Sequence, residues 1–205
     1  MSPMYTLFDY LPSGNGYKVR LTLKALGLPY ELVEVDILHG GSRTPEFLAR
    51  NPIGRIPTLR LPDGSFLGES LAIIWYLAEN SVLLPGSRID RARLLSWLSF
   101  EQYELEPNVA TARFWLHSLH KSEAELGEKL TEKRDKGYRA LGVLDQALRG
   151  GSFLVGSRFS IADISLYAYT HVAGEGGFEL DRFPNIGAWL KRVAAQPSHA
   201  PITDR

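Results

Sequence analysis

The stretch 51-NPIGRIPTLRLPDGSFLGES-70 organises the whole chain around it. Two short apolar runs, 57-PTLRL-61 and 65-SFLG-68, flank Pro62-Asp63-Gly64, which is the spacing of a β-hairpin. Pro57 opens the first run, as a residue without an N–H must at a strand start or sheet edge. The commoner trans Ile56–Pro57 bond fits this position. A cis bond would instead turn the N–H and carbonyl of Ile56 outward, to pair with an extended peptide. At the other end, Gly68-Glu69-Ser70 joins a strand to the helical run 69-ESLAIIWYLAEN-80. Ser70 caps this helix, or with the first free amides forms an anion site. Glu69 beside it suits an ammonium, so the pair matches the two charges of an α-amino acid end.

Upstream, 4-MYTLFDYL-11 reads as a strand and 17-YKVRLTLKALG-27 as a helix that stops at Gly27, with Pro29 beyond. The turn between them, 11-LPSGNGY-17, resembles the way chains build phosphate cradles. It lacks the Lys-Ser/Thr ending of a P-loop, however, and its glycines do not fit G-x-G-x-x-G. What it offers instead is two hydrogen-bonding side chains, Ser13 and Asn15, at a helix start. Next, 30-YELVEVD-36 alternates like a half-buried strand, and Thr44-Pro45-Glu46 begins a short helix, 45-PEFLARN-51. The order is βαβ, short helix, ββα.

After Pro85 the periodicity becomes helical throughout. In 88-RIDRARLLSWLSFEQYELE-106 the apolar residues Leu94, Trp97, Leu98 and Leu105 fall at helical spacing, and Pro107 is expected to kink or end that helix. Further helices are expected over 122–148, from Ser160 in 160-SIADISLYAYTHVA-173, and over 184–195. Residues 1–80 therefore form an α/β domain, 81–87 a linker, and 88–205 an all-α domain.

The 23 basic and 23 acidic residues cancel, which gives no electrostatic reason to expect nucleic acid or an anionic membrane as partner. No apolar run approaches the ~18 residues that span a bilayer, and the N-terminus has no signal-peptide pattern. There is no cysteine, so the chain has no disulfide, no Cys-held metal and no thiol nucleophile of its own. Cytoplasmic residence fits. His117 and His120 have i, i+3 spacing but no clear third ligand, so they read as surface residues and no metal is expected.

The βαβ–α–ββα order, 51-NPIGRIPTL-59, the strand-end Glu69-Ser70 and the later 160-SIAD-163 following 153-FLVG-156 together resemble the cytosolic glutathione S-transferases over essentially the whole chain. The likeness is to bacterial, theta- or nu-like members. It implies an α/β thioredoxin-like N-terminal domain plus an all-α C-terminal domain, and glutathione as co-substrate. It implies that Ile56, before Pro57, pairs with the cysteinyl backbone of glutathione and that Glu69 and Ser70 hold its γ-glutamyl end. Arg55 first, and His39 second, are the candidates for its glycyl carboxylate. Ser13 and Asn15 are the candidates to activate the thiol, with neither singled out. For a second substrate, a small hydrophobic electrophile or a disulfide, the candidates are Tyr10 and Leu11 of the first domain and Tyr103, Arg113, Phe114 and Tyr169 of the second. The resemblance also implies a homodimer. Three activities remain open: thiolate attack on an electrophile, glutathione-dependent disulfide or peroxide reduction, and a non-catalytic interaction module on the same fold.

Overall fold

A computed structural model describes residues 4–205. The strand β1 (Tyr5–Asp9) has four consecutive buried residues, which marks a central strand covered on both faces. It pairs in parallel with β2 (Tyr30–Glu34), with Tyr5 opposite Tyr30 and Asp9 opposite Glu34. A parallel pair needs a crossover, and α1 (Gly14–Ala25) supplies it. After α2 (Pro45–Arg50), the hairpin of β3 (Thr58–Arg60) and β4 (Phe66–Gly68) adds to the other side of β1. Leu7 lies opposite Leu59 in the antiparallel β1–β3 pair, and the four-stranded order is β2-β1-β3-β4. Asp63 holds the hairpin turn, accepting bonds from the Ser65 N–H at 2.9 Å and hydroxyl at 2.6 Å. The helix α3 (Ser70–Ala78) packs against α1. Phe8, Val35 and Phe47 form a core cluster with Val33, Ile37 and Ile56 packed on it, which binds β1, β2 and α2 together.

The chain divides into two units, one running to Leu84 and taking back Pro197–Arg205, the other Pro85–Gln196. The placement of Pro197–Arg205 differs from the expected 88–205 domain. Its cause is a set of donors on α1: the Tyr17 hydroxyl reaches the Ala200 carbonyl at 2.5 Å, and Arg20 Nη1 reaches the carbonyls of Ile202 and Asp204, each at 2.7 Å. Lys24 pairs with the Asp204 carboxylate.

The second unit is helical. Its first helix, α4 (Arg88–Phe100), is capped by Ser87, whose hydroxyl accepts from the Asp90 N–H at 3.1 Å. Pro107 does not end it. The chain stays helical through Glu101–Ala110 in wider π-type turns, then through Thr111–Arg113 and Phe114–Ser118. A proline stops an α-helix partly because its ring crowds the preceding turn, and the wider turns here leave that ring more room. The expected helix over 122–148 is two helices, α5 (Glu123–Leu126) and α6 (Glu128–Ala147), parted at Gly127, where φ is +48° and ψ −130°. Two more follow, α7 (Ile161–Thr170) and α8 (Pro184–Ala194). Asp163 anchors them: its carboxylate accepts from the N–H groups of Leu154 and Ser160, the Ser160 hydroxyl and the Trp189 indole, all at 3.0 Å. Burial pushes the Asp163 carboxyl above the usual range, against the opposing pull of these donors.

Candidate functional site

The turn before α1 is fixed from several sides. The Leu11 N–H donates to Glu34 at 3.0 Å, and Arg20 Nη2 donates to the Leu11 carbonyl at 2.6 Å. The Ser13 N–H closes the turn onto the Tyr10 carbonyl at 2.7 Å. Ser13 is the N-cap of α1, its hydroxyl oxygen accepting a long 3.5 Å bond from the Gly16 N–H. An accepting hydroxyl keeps its own proton for another partner. No acid lies in the first turn of α1, so the partial positive charge of the helix start is not countered by its own residues.

Behind this turn lies Asp9, fully buried, with Arg20 Nε 3.2 Å from its Oδ2 and the Tyr10 N–H 2.8 Å from its Oδ1. Burial pushes the Asp9 carboxyl up to about 7, with Glu34 adding to the rise and Arg20 and the Tyr10 N–H opposing it. Gly16 makes room for this carboxylate: a Cβ there would come within 1.7 Å of Asp9 Oδ1.

Asn15 points across to α3. Its Oδ1 accepts from Lys18 Nζ at 2.8 Å and from the Ser70 hydroxyl at 3.2 Å. Ser70, expected at or close to the N-cap, lies directly after it. Glu69 occupies the cap position without a side-chain bond, and buried Ser70 is the first helical residue, its hydroxyl aimed at α1. Glu69 holds φ at +64°, a left-handed conformation costing roughly 1–3 kcal/mol for a residue with a side chain.

The loop from Asn51 to Thr58 is organised by Asn51. Its Nδ2 donates to the Arg55 carbonyl at 2.9 Å and to Thr58 Oγ1 at 3.0 Å, and its Oδ1 accepts from the Ile53 N–H at 3.1 Å. Arg43 ties the loop from outside through the Ile53 carbonyl at 3.0 Å. The Ile56–Pro57 bond is cis, not the commoner trans form. Sheet pairing begins only at Thr58, so Ile56 lies outside the β1–β3 register. Arg55 is exposed. His39 is exposed too, but its Nδ1 is 2.7 Å from Asp36 Oδ2, and that hydrogen bond holds the Asp36 carboxyl below its usual range. Asp36 thus competes for any positive charge His39 carries.

Among the second-substrate candidates, Tyr10 and Leu11 are half-buried in the first unit. In the helical unit, Tyr103 is 78% exposed and Phe114 half-exposed, while Tyr169 is buried. Arg113 is buried as well, with Nε 2.6 Å from Glu175 Oε2, so its charge is already met within the helical unit. His117 Nδ1 lies 3.5 Å from the same Glu175 oxygen, while His120 falls beyond the helix at φ +51°, so the two do not share a helical face. Among the described residues no group of three His, Asp or Glu side chains is placed to hold a metal.

Three residues of the site were not picked out from sequence: Lys18, Asp9 and Asn51. Lys18 had a local signal, the i, i+3 spacing from Asn15 on one helix. Asp9 and Asn51 had none beyond their neighbours.

The two units match two family descriptions in order: glutathione S-transferase, N-terminal domain, over residues 12–80, and glutathione S-transferase, C-terminal domain, over residues 108–197. The chain belongs to the glutathione S-transferase family. A glutathione S-transferase from Pseudomonas fluorescens shares 48% identity, with a TM-score of 0.95 over 98% of this chain and 100% of that one. The disulfide-bond oxidoreductase YfcG of Escherichia coli is 30% identical over 92% of this chain and 90% of its own length. The glutathione transferase URE2P8 of Phanerochaete chrysosporium, solved with oxidized glutathione, is 27% identical with a TM-score of 0.85 over 97% and 92% of the two chains. Among the described residues no helix is long and apolar enough to cross a membrane.

Proposed function

We propose that the chain is a glutathione transferase that activates the glutathione thiol at the start of α1. The observation that carries this is the 3.2 Å bond from Ser70 to Asn15. It joins the residue proposed for the γ-glutamyl end to one proposed for the sulfur, in a chain with no cysteine of its own. Ile56 pairs with the cysteinyl backbone, Glu69 and Ser70 hold the γ-glutamyl end, and Arg55, ahead of His39, meets the glycyl carboxylate. The sulfur then lies against Ser13 and Asn15. A free thiol has a pKa of ~8.5, and lowering it by about two requires roughly 2.7 kcal/mol of added anion stabilisation. A hydrogen bond to a charged group contributes ~1.5–3 kcal/mol and a helix N-terminus ~0.3–1, so one or two donors here suffice without a general base. The thiolate attacks an electrophilic carbon to form a thioether, as a leaving group such as halide departs with its electron pair or the adduct takes up a proton. Tyr10 and Leu11 line the electrophile's place on this domain. Cytoplasmic residence and a homodimer belong to the same reading.

A second reading has specific support in the similarity to the Escherichia coli disulfide-bond oxidoreductase and to a transferase holding oxidized glutathione. Here the thiolate attacks a disulfide sulfur, and a second glutathione resolves the mixed disulfide, so the protein needs no thiol. One preparation assayed for conjugation of an aromatic halide and for reduction of a small disulfide separates the two. Calorimetry with glutathione tests what they share: neither activity and no binding would remove both.

A further inference from the structure

We infer that Lys18 is a positioning residue for thiol activation, acting through Asn15. Lys18 has no exposed surface, yet its ammonium is 2.8 Å from Asn15 Oδ1. An ammonium only donates, so the atom facing it must be the amide oxygen. This fixes which way Asn15 points, a choice that a lone amide leaves open. The Ser70 hydroxyl, 3.2 Å away, donates to the same oxygen and fills its other lone pair. With Oδ1 engaged by Lys18 and Ser70, Nδ2 is the donor end of the amide, and it is this end that the thiolate reading assigns to the sulfur. The inference rests on the thiolate reading given above.

The two holders differ in one respect. A serine has a single proton to give. When the γ-glutamyl carboxylate takes it, Asn15 Oδ1 loses that bond and Lys18 keeps the amide in place. Lys18 is therefore the holder that persists when glutathione is bound, and its removal should act on the thiol more than on affinity. Other charged or titratable groups around this helix start are Asp9 with Arg20, Glu34, Glu69, Tyr10, and Tyr17 near His199. They are unchanged across the variants and cancel in the comparison.

The test is the ultraviolet thiolate absorbance of bound glutathione against pH, with calorimetry for affinity, in Lys18→Met, Asn15→Ala and the double variant. Lys18→Met should raise the bound thiol pKa by about 1, a tenfold loss of thiolate below it, with the dissociation constant changed less than about threefold. In the Asn15→Ala background the same substitution should add almost nothing. A normal pKa in folded Lys18→Met, or additive shifts in the double variant, would overturn the inference while leaving thiolate activation standing. An unshifted pKa in Asn15→Ala would instead remove Asn15 from activation, and the inference with it. If Lys18→Met does not fold, Lys18→Gln replaces it. Its amide still reaches toward Asn15 but also accepts, so a smaller rise in the same direction is expected, and no rise overturns the inference.

Discussion

Replacing Gly16 with alanine tests the packing beneath the helix start, because two effects have opposite signs. Gly16 lies inside α1 with no left-handed φ, and on helix propensity alone alanine would stabilise by roughly 1 kcal/mol. The structure predicts the reverse. The added Cβ would meet three atoms of the Asp9 carboxylate at 1.7, 1.9 and 1.9 Å, far inside contact distance. Asp9 cannot swing away cheaply, since it is fully buried and held by Arg20 and by the Tyr10 N–H. Displacing it breaks both bonds, at ~1.5–3 kcal/mol for each bond to a charged group, and the helix gain offsets only about 1 kcal/mol of that. A net loss of about 2–5 kcal/mol is expected. In urea, at a slope of about 2 kcal/mol per molar, the unfolding midpoint should fall by about 1–2.5 M with the slope unchanged. A Gly16→Ala protein as stable as the parent would refute the argument and show that the Asp9 pocket is loose.

Three further outcomes follow from the same structure. Asp9 is raised to about 7 from 3.8, so the folded protein keeps a proton that the unfolded chain loses above pH ~4. The resulting stability, roughly 4 kcal/mol, is fully present below pH ~4 and is lost as pH rises through about 7. Urea midpoints measured from pH 4 to 8 should show that decline, and Asp9→Asn should flatten it. Asp163→Ala should cost at least ~3 kcal/mol by thermal or urea unfolding, because it strands four buried donors, while Asp163→Asn, which keeps one acceptor oxygen, should cost less. Gly127→Ala should destabilise the helical unit by about 1–3 kcal/mol, since φ +48° with ψ −130° suits glycine alone, and a loss of helical circular dichroism at lower temperature would register it.

The order of strands and helices along the first unit, and most helices of the second, were legible because their signals are local. Alternation gave β2, Gly27 ended α1, Thr44-Pro45 began α2, and Pro62-Asp63-Gly64 marked the hairpin. The failures have a common cause, which is that the deciding partner lies far along the chain. Ser70 is expected at or close to a helix start, where it lies, but its hydroxyl partner, Asn15, is 55 positions away. Arg113 is a second-substrate candidate by sequence, and nothing near it in sequence announces its partner Glu175, 62 positions on. Pro107 is expected to kink or end its helix; it does not end it, and the chain passes it in wider turns. The Ile56–Pro57 bond went against its local energetic preference, which only the surrounding loop reverses. Residues 197–205 have no helical or strand period, and their main-chain carbonyls, the acceptors that place them, are the same in every residue type.

That last segment sets a schedule for synthesis. Domains generally form as they emerge from the ribosome, N-terminal first. Here Arg20 and Tyr17 wait for acceptors at Ala200, Ile202 and Asp204, which are made only after the entire helical unit. The α/β unit is first to emerge and last to be finished. Until then, a buried-to-be guanidinium and phenol on α1 must keep their hydration, and a nascent chain paused within the helical unit presents an unsealed helix to whatever it meets.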